Sequence, residues 1–517
     1  MERKWWTLVV VCIATFMLLL DITIVNVALP KIASDLNASF SDIQWVIDAY
    51  ALTLASLLLT AGSLADLLGR KLVFSIGLSL FSLTSLLCAL SPSATFLILA
   101  RAGQGIGGAI MFSCSLALLA QEFHGKERGT AFGAWGATIA ASAAVGPLLG
   151  GFLTEDFGWS SIFYINVPIG IVCVALTLAK VHESRNPDAR RIDWIGTITF
   201  TGALFLIVFA IIRGNAEGWG STMIVSLFVG GVVLLIIFLI SQFMQENAMF
   251  DVTLFRKPTF DGASVVAFTI SSAMFAMFLY LVLYIQTILG LSPLQTGLRF
   301  LPFTVVSFFV AVLSGNLSTR VPIRFLLSGG LLLTAIGLLL MRGLTVSSGW
   351  TALLAGFIVA GAGVGLVNPA LASTAIGVVP PQRSGMASGI NNTFRQVGIA
   401  TGIAGLGAIF ESSLTTGIAP KLAGTPAAGQ GAEIARAVAA GGAQKVVAGI
   451  PAADRATASN AIHAAFASSM NDILLVAAIV AFVGAFLGLV LVRGSDFVTY
   501  GPPQPEAQPE PAASAVG

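Results

Sequence analysis

Charge is scarce in this sequence. Only 10% of its 517 residues are Asp, Glu, Lys or Arg, against roughly 25% in an average soluble domain. With 56% hydrophobic residues and a mean hydropathy of +0.92, no soluble core could hide the apolar surface, and the natural solvent is lipid. Histidine is rarer still: His124, His182 and His463 lie far apart in polar segments, so no metal site is expected. The four cysteines, Cys12, Cys88, Cys114 and Cys173, each sit in an apolar run without a CxxC pair, which reads as free packed thiols. A net charge of +2 and the lack of a basic run interleaved with aromatics speak against a nucleic-acid partner. There is no G-x-x-x-x-G-K-[ST] run to hold ATP, and no nucleophile–base pair to suggest an enzyme. GQGIGG at 103–108 fits the letters of a dinucleotide fingerprint, but no strand precedes it. Inside an apolar helix its glycines read instead as a close helix–helix contact. No cofactor is called for.

What the chain has in abundance is long apolar runs. A bilayer crossing needs about 20 mostly apolar residues. Fourteen runs qualify, near 6–29, 43–64, 72–91, 95–119, 130–153, 160–180, 193–212, 222–242, 259–288, 296–317, 323–342, 350–373, 385–411 and 470–493. The first, Trp5 to Leu29, is too long for a signal peptide, lacks a clean cleavage site and contains Asp21, so it reads as a retained span. An even number puts both termini on one side. With the N-terminus inside, sixteen Lys and Arg fall in cytoplasmic segments, against Lys31, Arg213 and Arg342 in short outer loops. The positive-inside rule therefore predicts cytoplasmic termini in a cell inner membrane. The long outer loop 412–469 is rich in Ala and Gly, and its stretch AEIARAVAAGGAQKVVAGI suggests a short amphipathic helix. The Pro-rich end, 494–517, is expected to be a disordered cytoplasmic tail.

A faint internal repeat divides the chain. GSLADLLGRK at 62–71 echoes GNLSTRVPIR at 315–324, and GIG at 105–107 echoes GVG at 363–365. The expected organisation is a six-helix bundle over 1–180, a linker with two additional helices over 181–258, and a second six-helix bundle over 259–493. Repeated halves are typical of secondary transporters, with the substrate near the midplane between them.

Ionisable residues inside spans are the functional candidates. Asp21 lies in FMLLLDITIVNVALP. A carboxylate there costs about 2.5–3.5 kcal/mol on insertion scales. It is either hydrogen-bonding glue between spans or a carrier that takes up and releases a proton. Asp48 in WVIDAYAL is a second acid, nearer the outer end of its span, suited to proton or cation handling or to hydrogen bonding. Arg101, six residues into the fourth span, either needs a buried partner or snorkels to the interface. Arg395 in NNTFRQVG balances a buried acid or meets an anionic substrate. Glu411 should be wet and at most mildly cation-attracting. Asp21, Asn26, Gln286, Asn391, Arg395 and Glu411 form the expected substrate cavity, with greasy walls.

Several of these stretches are recognisable. GSLADLLGRKLVF resembles the cytoplasmic-loop signature of the major facilitator superfamily, LARAGQGIGGA its fourth-span signature, and GPLLGG the fifth-span signature of its antiporters. LLLDITIVNVALP, WSSIFYINVPIG, GLSPLQTGLRFLP and NNTFRQVGIATG resemble motifs of the fourteen-span drug:proton antiporter branch, the EmrB/QacA subfamily. The resemblance covers nearly all of the chain except the long loop and the tail. It implies an all-α major facilitator fold of two six-helix bundles plus two extra helices. It implies that Arg101 takes part in proton movement beside the first span. It implies a gate loop of Gly62, Asp66, Gly69, Arg70 and Lys71, with Asp66 set against the positive end of the thirteenth span near Ser384. The other reading of that loop is a solvated topology signal. Gly146, Pro147, Gly150 and Gly151 would kink the fifth span beside the cavity, or serve packing alone. One departure is Leu67, which follows Asp66 where the family commonly has a basic residue. That predicts one fewer ion pair at the gate.

The function expected is proton-driven export of amphipathic drugs, cationic ones first, by a monomer in the bilayer. The alternatives are a dedicated exporter of one natural product, antibiotic or lipid, and a non-transporting membrane sensor.

Overall fold

The computed structural model describes residues 2–498 except 39, 186–191, 246–247, 249, 319, 381–382, 419–433, 436, 439–446, 448 and 451–454. The tail expected to be disordered lies from residue 499 onward outside the described residues, as does most of the suggested loop helix.

Among the described residues the apolar runs form fourteen long helices and no strand. The first six are α1 (Arg3–Asp35), α2 (Phe40–Leu68), α3 (Arg70–Ala89), α4 (Ala94–Glu122), α5 (Gly125–Phe157) and α6 (Ser161–Lys180). A pair follows, α7 (Trp194–Glu217) and α8 (Thr222–Met244). The last six are α9 (Pro258–Ile288), α10 (Pro293–Leu317), α11 (Ile323–Leu340), α12 (Trp350–Gly377), α13 (Ser384–Ile418) and α14 (Arg455–Leu491). Helix starts follow local chemistry. Ser93, Asp193 and Ser221 cap α4, α7 and α8 by accepting from amides three residues on. α9 is broken by two π-helical turns, Ser271–Phe275 and Tyr284–Ile288.

Two helix ends differ from expectation. α13 runs on to Ile418 and α14 begins at Arg455, so helix occupies both ends of the 412–469 segment. The early turns of α14, RATASNAIHAAFASSM, are Ala-rich rather than greasy. Alanine favours helix without raising hydropathy much. Ala458, Ile462, Ala465 and Phe466 are nevertheless buried, so packing rather than lipid exposure holds this extension.

α1 to α6 pack as one bundle and α9 to α14 as another. The first core gathers Phe74, Phe81, Phe132 and Trp135; the second gathers Tyr284, Phe303, Phe357 and Phe410. Large apolar side chains such as Ile171, Phe309 and Phe486 face outward, as lipid-facing positions must. The bundles meet along two seams, α5 on α10 and α2 on α13. Glycines set how close they come. A Cβ on Gly62 would run into the Gly385 carbonyl, and one on Gly129 into the Gly315 carbonyl. The α7–α8 pair lies against α2 and α13. α8 is the most outward helix, with 17% of its apolar window buried. Contacts running from Arg3 to His182, from Ser184 to Arg70, from Asp66 to Gly385, from Val378 to Lys257 and from Thr259 to Arg493 put the start of α1 and the end of α14 on one face, called here the termini face.

Candidate functional site

Asp21 sits mid-helix in α1 and is 1% exposed. Its carboxylate is fully engaged. Arg101 of α4 donates to Oδ2, Gln104 Nε2 donates to Oδ1 at 2.8 Å, and Asn166 Nδ2 of α6 lies 3.4 Å from Oδ1. Gln104 and Asn166 also reach Ser85 Oγ of α3, at 2.8 and 3.4 Å. Arg101 in turn donates to Gln104 Oε1 at 2.6 Å and to the Val46 carbonyl of α2 at 3.0 Å. Its guanidinium carbon lies 4.2 Å from the centre of the Tyr50 ring, a cation–π contact in a desolvated setting. Five of the six helices of the first bundle thus converge on one acid–base pair. The snorkelling alternative for Arg101 does not describe this side chain, which is 1% exposed.

Beside this knot is a cavity of about 50 Å³ lined by Ile22, Val25, Ile47, Tyr50 and Arg101 from the first bundle and Gln396 from α13. Drug-sized sites run to roughly 300–1,000 Å³, so this cavity would have to widen to hold one. A larger hollow, about 560 Å³, lies on the termini face among Arg320, Arg324 and Phe497. None of its lining residues bonds to Asp21 or Arg101.

The GSLADLLGRK loop makes the second constellation. Asp66 Oδ1 accepts from Arg70 Nε and Nη2 at 2.9 and 2.8 Å and from the Gly385 amide at 3.0 Å; Oδ2 accepts from the Met386 amide at 2.9 Å. Gly385 and Met386 open α13, whose first amides have no intrahelical acceptor and whose dipole favours an anion. The contact therefore crosses from one bundle to the other. Gly69 has φ +116°, a turn that side-chain-bearing residues rarely adopt, and a Cβ there would meet the Glu183 carboxylate at 2.7 Å. Glu183 accepts from the Lys71 and Leu72 amides at 3.0 and 3.1 Å, capping α3 from the segment after α6. Lys71 Nζ reaches the Leu178 carbonyl at 2.8 Å.

Other expected site residues are dispersed. Asp48 is half-buried and makes no hydrogen bond to Asp21, whose partners are Arg101, Gln104 and Asn166. Arg395 is buried on α13 and donates to Asn368 Oδ1 of α12 at 2.9 Å, and Asn391 is buried a turn earlier. Gln286 is half-buried in the second π-helical turn of α9, and Glu411 is half-buried toward the far end of α13. The side chains of Asn26 and Pro147 lie outside the described residues. Gly146 and Gly150 let α5 close on α1: a Cβ on either would collide with Thr23 or Ile24. α5 itself is continuous through Gly151 to Phe157.

Sequence reasoning missed Gln104, Asn166 and Ser85. Gln104 follows Arg101 by three residues, the spacing that puts two side chains on one helix face. Asn166 is a lone amide in an apolar run. Both signals were present and are common in membrane helices.

Two helical bundles joined by an extra pair, with a buried acid–base knot beside a small cavity between the bundles, define a membrane transport fold. The sequence matches the Major Facilitator Superfamily over residues 11–403, and the chain belongs to that family, among its drug-exporting members. It is 36% identical to the multidrug resistance protein Stp of Mycobacterium tuberculosis over 417 residues, covering 80% of this chain and 78% of that one. It is 30% identical to the tetracenomycin C resistance and export protein of Streptomyces glaucescens, covering 99% and 95%. It is 31% identical to the multidrug efflux pump LfrA of Mycolicibacterium smegmatis, covering 93% and 95%. Among solved structures, the human organic anion transporter MFSD10 superposes with a TM-score of 0.58 at 15% identity, covering 93% of this chain and all of that one. That likeness speaks to the fold alone.

Proposed function

We propose that the protein exports amphipathic compounds across the cytoplasmic membrane by alternating access, driven by proton entry through Asp21. The termini face is the cytoplasmic one, and a single chain carries the whole cycle. The observation that carries this reading is the Asp21–Arg101 pair, held by neutral amide donors from two helices, Gln104 of α4 and Asn166 of α6, beside the cavity that Gln396 shares. A proton taken up by Asp21 cancels its charge. Arg101 then becomes a buried cation without its counter-ion, a state that costs several kcal/mol unless it moves. Protonation is thereby converted into a mechanical bias on α4 against α1 and α2. Deprotonation restores the pair and resets it. Cargo and proton are coupled because they favour opposite arrangements of the same helices. A potential of 100 mV supplies about 2.3 kcal/mol per charge.

The gate follows from Asp66. In the closed termini face its carboxylate holds the start of α13. Opening that face means giving up two charge-assisted bonds at once. Leu67 brings no charge to the gate, where Asp66 is held by Arg70 and the Gly385 and Met386 amides.

Several relatives are named for single antibiotics, including tetracenomycin C, and for puromycin in Streptomyces alboniger. They favour a second reading, a dedicated exporter of one such product. The two readings part in one experiment. Cells expressing the protein are loaded with several unrelated dyes, and efflux is followed with and without an uncoupler. Uncoupler-sensitive loss of several dyes, abolished by Asp21→Asn, is expected. Loss of one compound alone would support the dedicated exporter. Full coupled efflux by the Asp21→Asn protein would remove Asp21 from the mechanism.

A further inference from the structure

Arg395 is the least compensated charge in the described membrane interior. It is 4% exposed. Its bonds are one donation to Asn368 Oδ1 at 2.9 Å and a guanidinium 6.0 Å from the ring centre of Trp135, which belongs to the opposite bundle. No carboxylate among the described residues pairs with it, and its Nε has no acceptor. On the same helix face or its bonded partner lie other buried groups without partners: Asn368 Nδ2, Asn391 Oδ1 and Asn392 Oδ1. Asn392 also approaches the Phe112 carbonyl of α4 at 3.4 Å, and Phe112 stacks on Trp135 at 6.2 Å. The orphaned groups therefore cluster on α12 and α13, where the second bundle meets an aromatic face of the first. Buried polar groups are normally satisfied. A cluster of unsatisfied ones at a seam between moving bodies fits a site whose partner is not protein.

The charge balance gives the sign of that partner. Asp21 is already neutralised by Arg101 and held by Gln104 and Asn166, so it offers a cation nothing free. The second bundle offers an unneutralised guanidinium flanked by an aromatic pair. We infer that the transported compounds are planar aromatic molecules bearing a carboxylate or acidic hydroxyl, bound through Arg395 with Asn368 as its positioning partner. This rests on the alternating-access reading and replaces the preference for cationic drugs expected from the sequence.

Binding to the purified full-length protein in detergent, at fixed pH and without a gradient, tests the inference independently of proton coupling. Fluorescein and rhodamine 6G share a xanthene body and carry opposite charge. The wild-type protein should bind fluorescein more tightly than rhodamine 6G. Arg395→Gln should weaken fluorescein by at least about tenfold and leave rhodamine 6G unchanged or improved, while Arg395→Lys recovers part of the loss. Asn368→Asp keeps Arg395 but sets a carboxylate beside it, and should weaken fluorescein alone. Thermal unfolding of each variant reports whether it is folded, and should Arg395→Gln fail to fold, Asn368→Asp decides. Preference for rhodamine 6G by the wild type would overturn the inference. So would equal loss of both dyes in a folded variant, or fluorescein binding untouched by the folded Arg395 and Asn368 variants. Charge-selective binding without uncoupler-sensitive efflux would instead fault the pump reading and leave the site standing.

Discussion

Gln104 is the residue on which the Asp21–Arg101 pair depends for its geometry. It donates to one partner and accepts from the other, at 2.8 and 2.6 Å. Asn166 touches the carboxylate only at 3.4 Å. Leaving a buried donor or acceptor one partner short costs about 1–3 kcal/mol, and more where the group is charged, so Gln104→Leu should destabilise the protein by at least that amount, and Asn166→Leu by less. Thermal unfolding in detergent gives the order, and equal losses would mean that Gln104 is not the bridge. Asp21 and Arg101 were legible because a charge in an apolar run stands out. Their pairing was not, since 80 positions separate them; it came only through the family resemblance. Gln104, Asn166 and Ser85 were hidden because neutral polar residues in membrane helices carry no such alarm. Asp48 stood out as clearly as Asp21 yet belongs elsewhere, for a reason of helical geometry. Val46 and Tyr50 of α2 face Arg101. A residue two positions from each points to roughly the opposite side of a helix with 3.6 residues per turn.

At the scale of elements, the close approach of α2 and α13 is a contact between backbones. A Cβ on Gly385 would meet both the Gly62 carbonyl and the Asp66 carboxylate, and one on Gly389 would meet the Leu58 carbonyl at 2.8 Å. Gly385→Leu should therefore hold the termini face apart. A cysteine introduced there should label faster with a membrane-impermeant maleimide in inside-out vesicles. Unchanged labelling would show that the two helices close without this contact. Asp66→Ala acts on the same seam from the other side. It removes the anion from the start of α13 but leaves the central site alone. Dye binding should stay within about twofold while turnover in proteoliposomes falls, and a variant with wild-type turnover would make the loop a topology signal only. Element positions were largely readable from the apolar runs, because the bilayer fixes their length. The exception is α14, whose alanine-rich beginning packs on protein and so lacks the hydropathy that marks a lipid-facing helix.

For the whole molecule, the α7–α8 pair breaks the twofold likeness of the bundles by covering one seam. α7 is tied to α2 by Thr60 and Thr201, whose hydroxyls are 3.0 Å apart, and by Trp45 against Phe209 at 5.6 Å. It meets α13 through Asn215, which donates to the Ala404 carbonyl at 3.0 Å, and through Val208 and Ile212 near Val397 and Ala400. The α2 side interlocks aromatic and hydroxyl side chains. The α13 side presents Ala400, Ala404 and Gly407 to α7, a shallow surface over which a helix slides with few rotamers to rearrange. If the bundles rock about the central site, the pair should travel with the first bundle and slip along α13. Cysteines at 60 and 201 joined by a short bismaleimide should then leave transport intact, whereas the same reagent between 215 and 404 should arrest it. Arrest by the first link with passage through the second would assign the pair to the other bundle. Free transport with both links closed at once would mean that this seam does not move, and an exporter that opens only along α5 and α10 would have to swing its bundles about α7 as a fixed hinge.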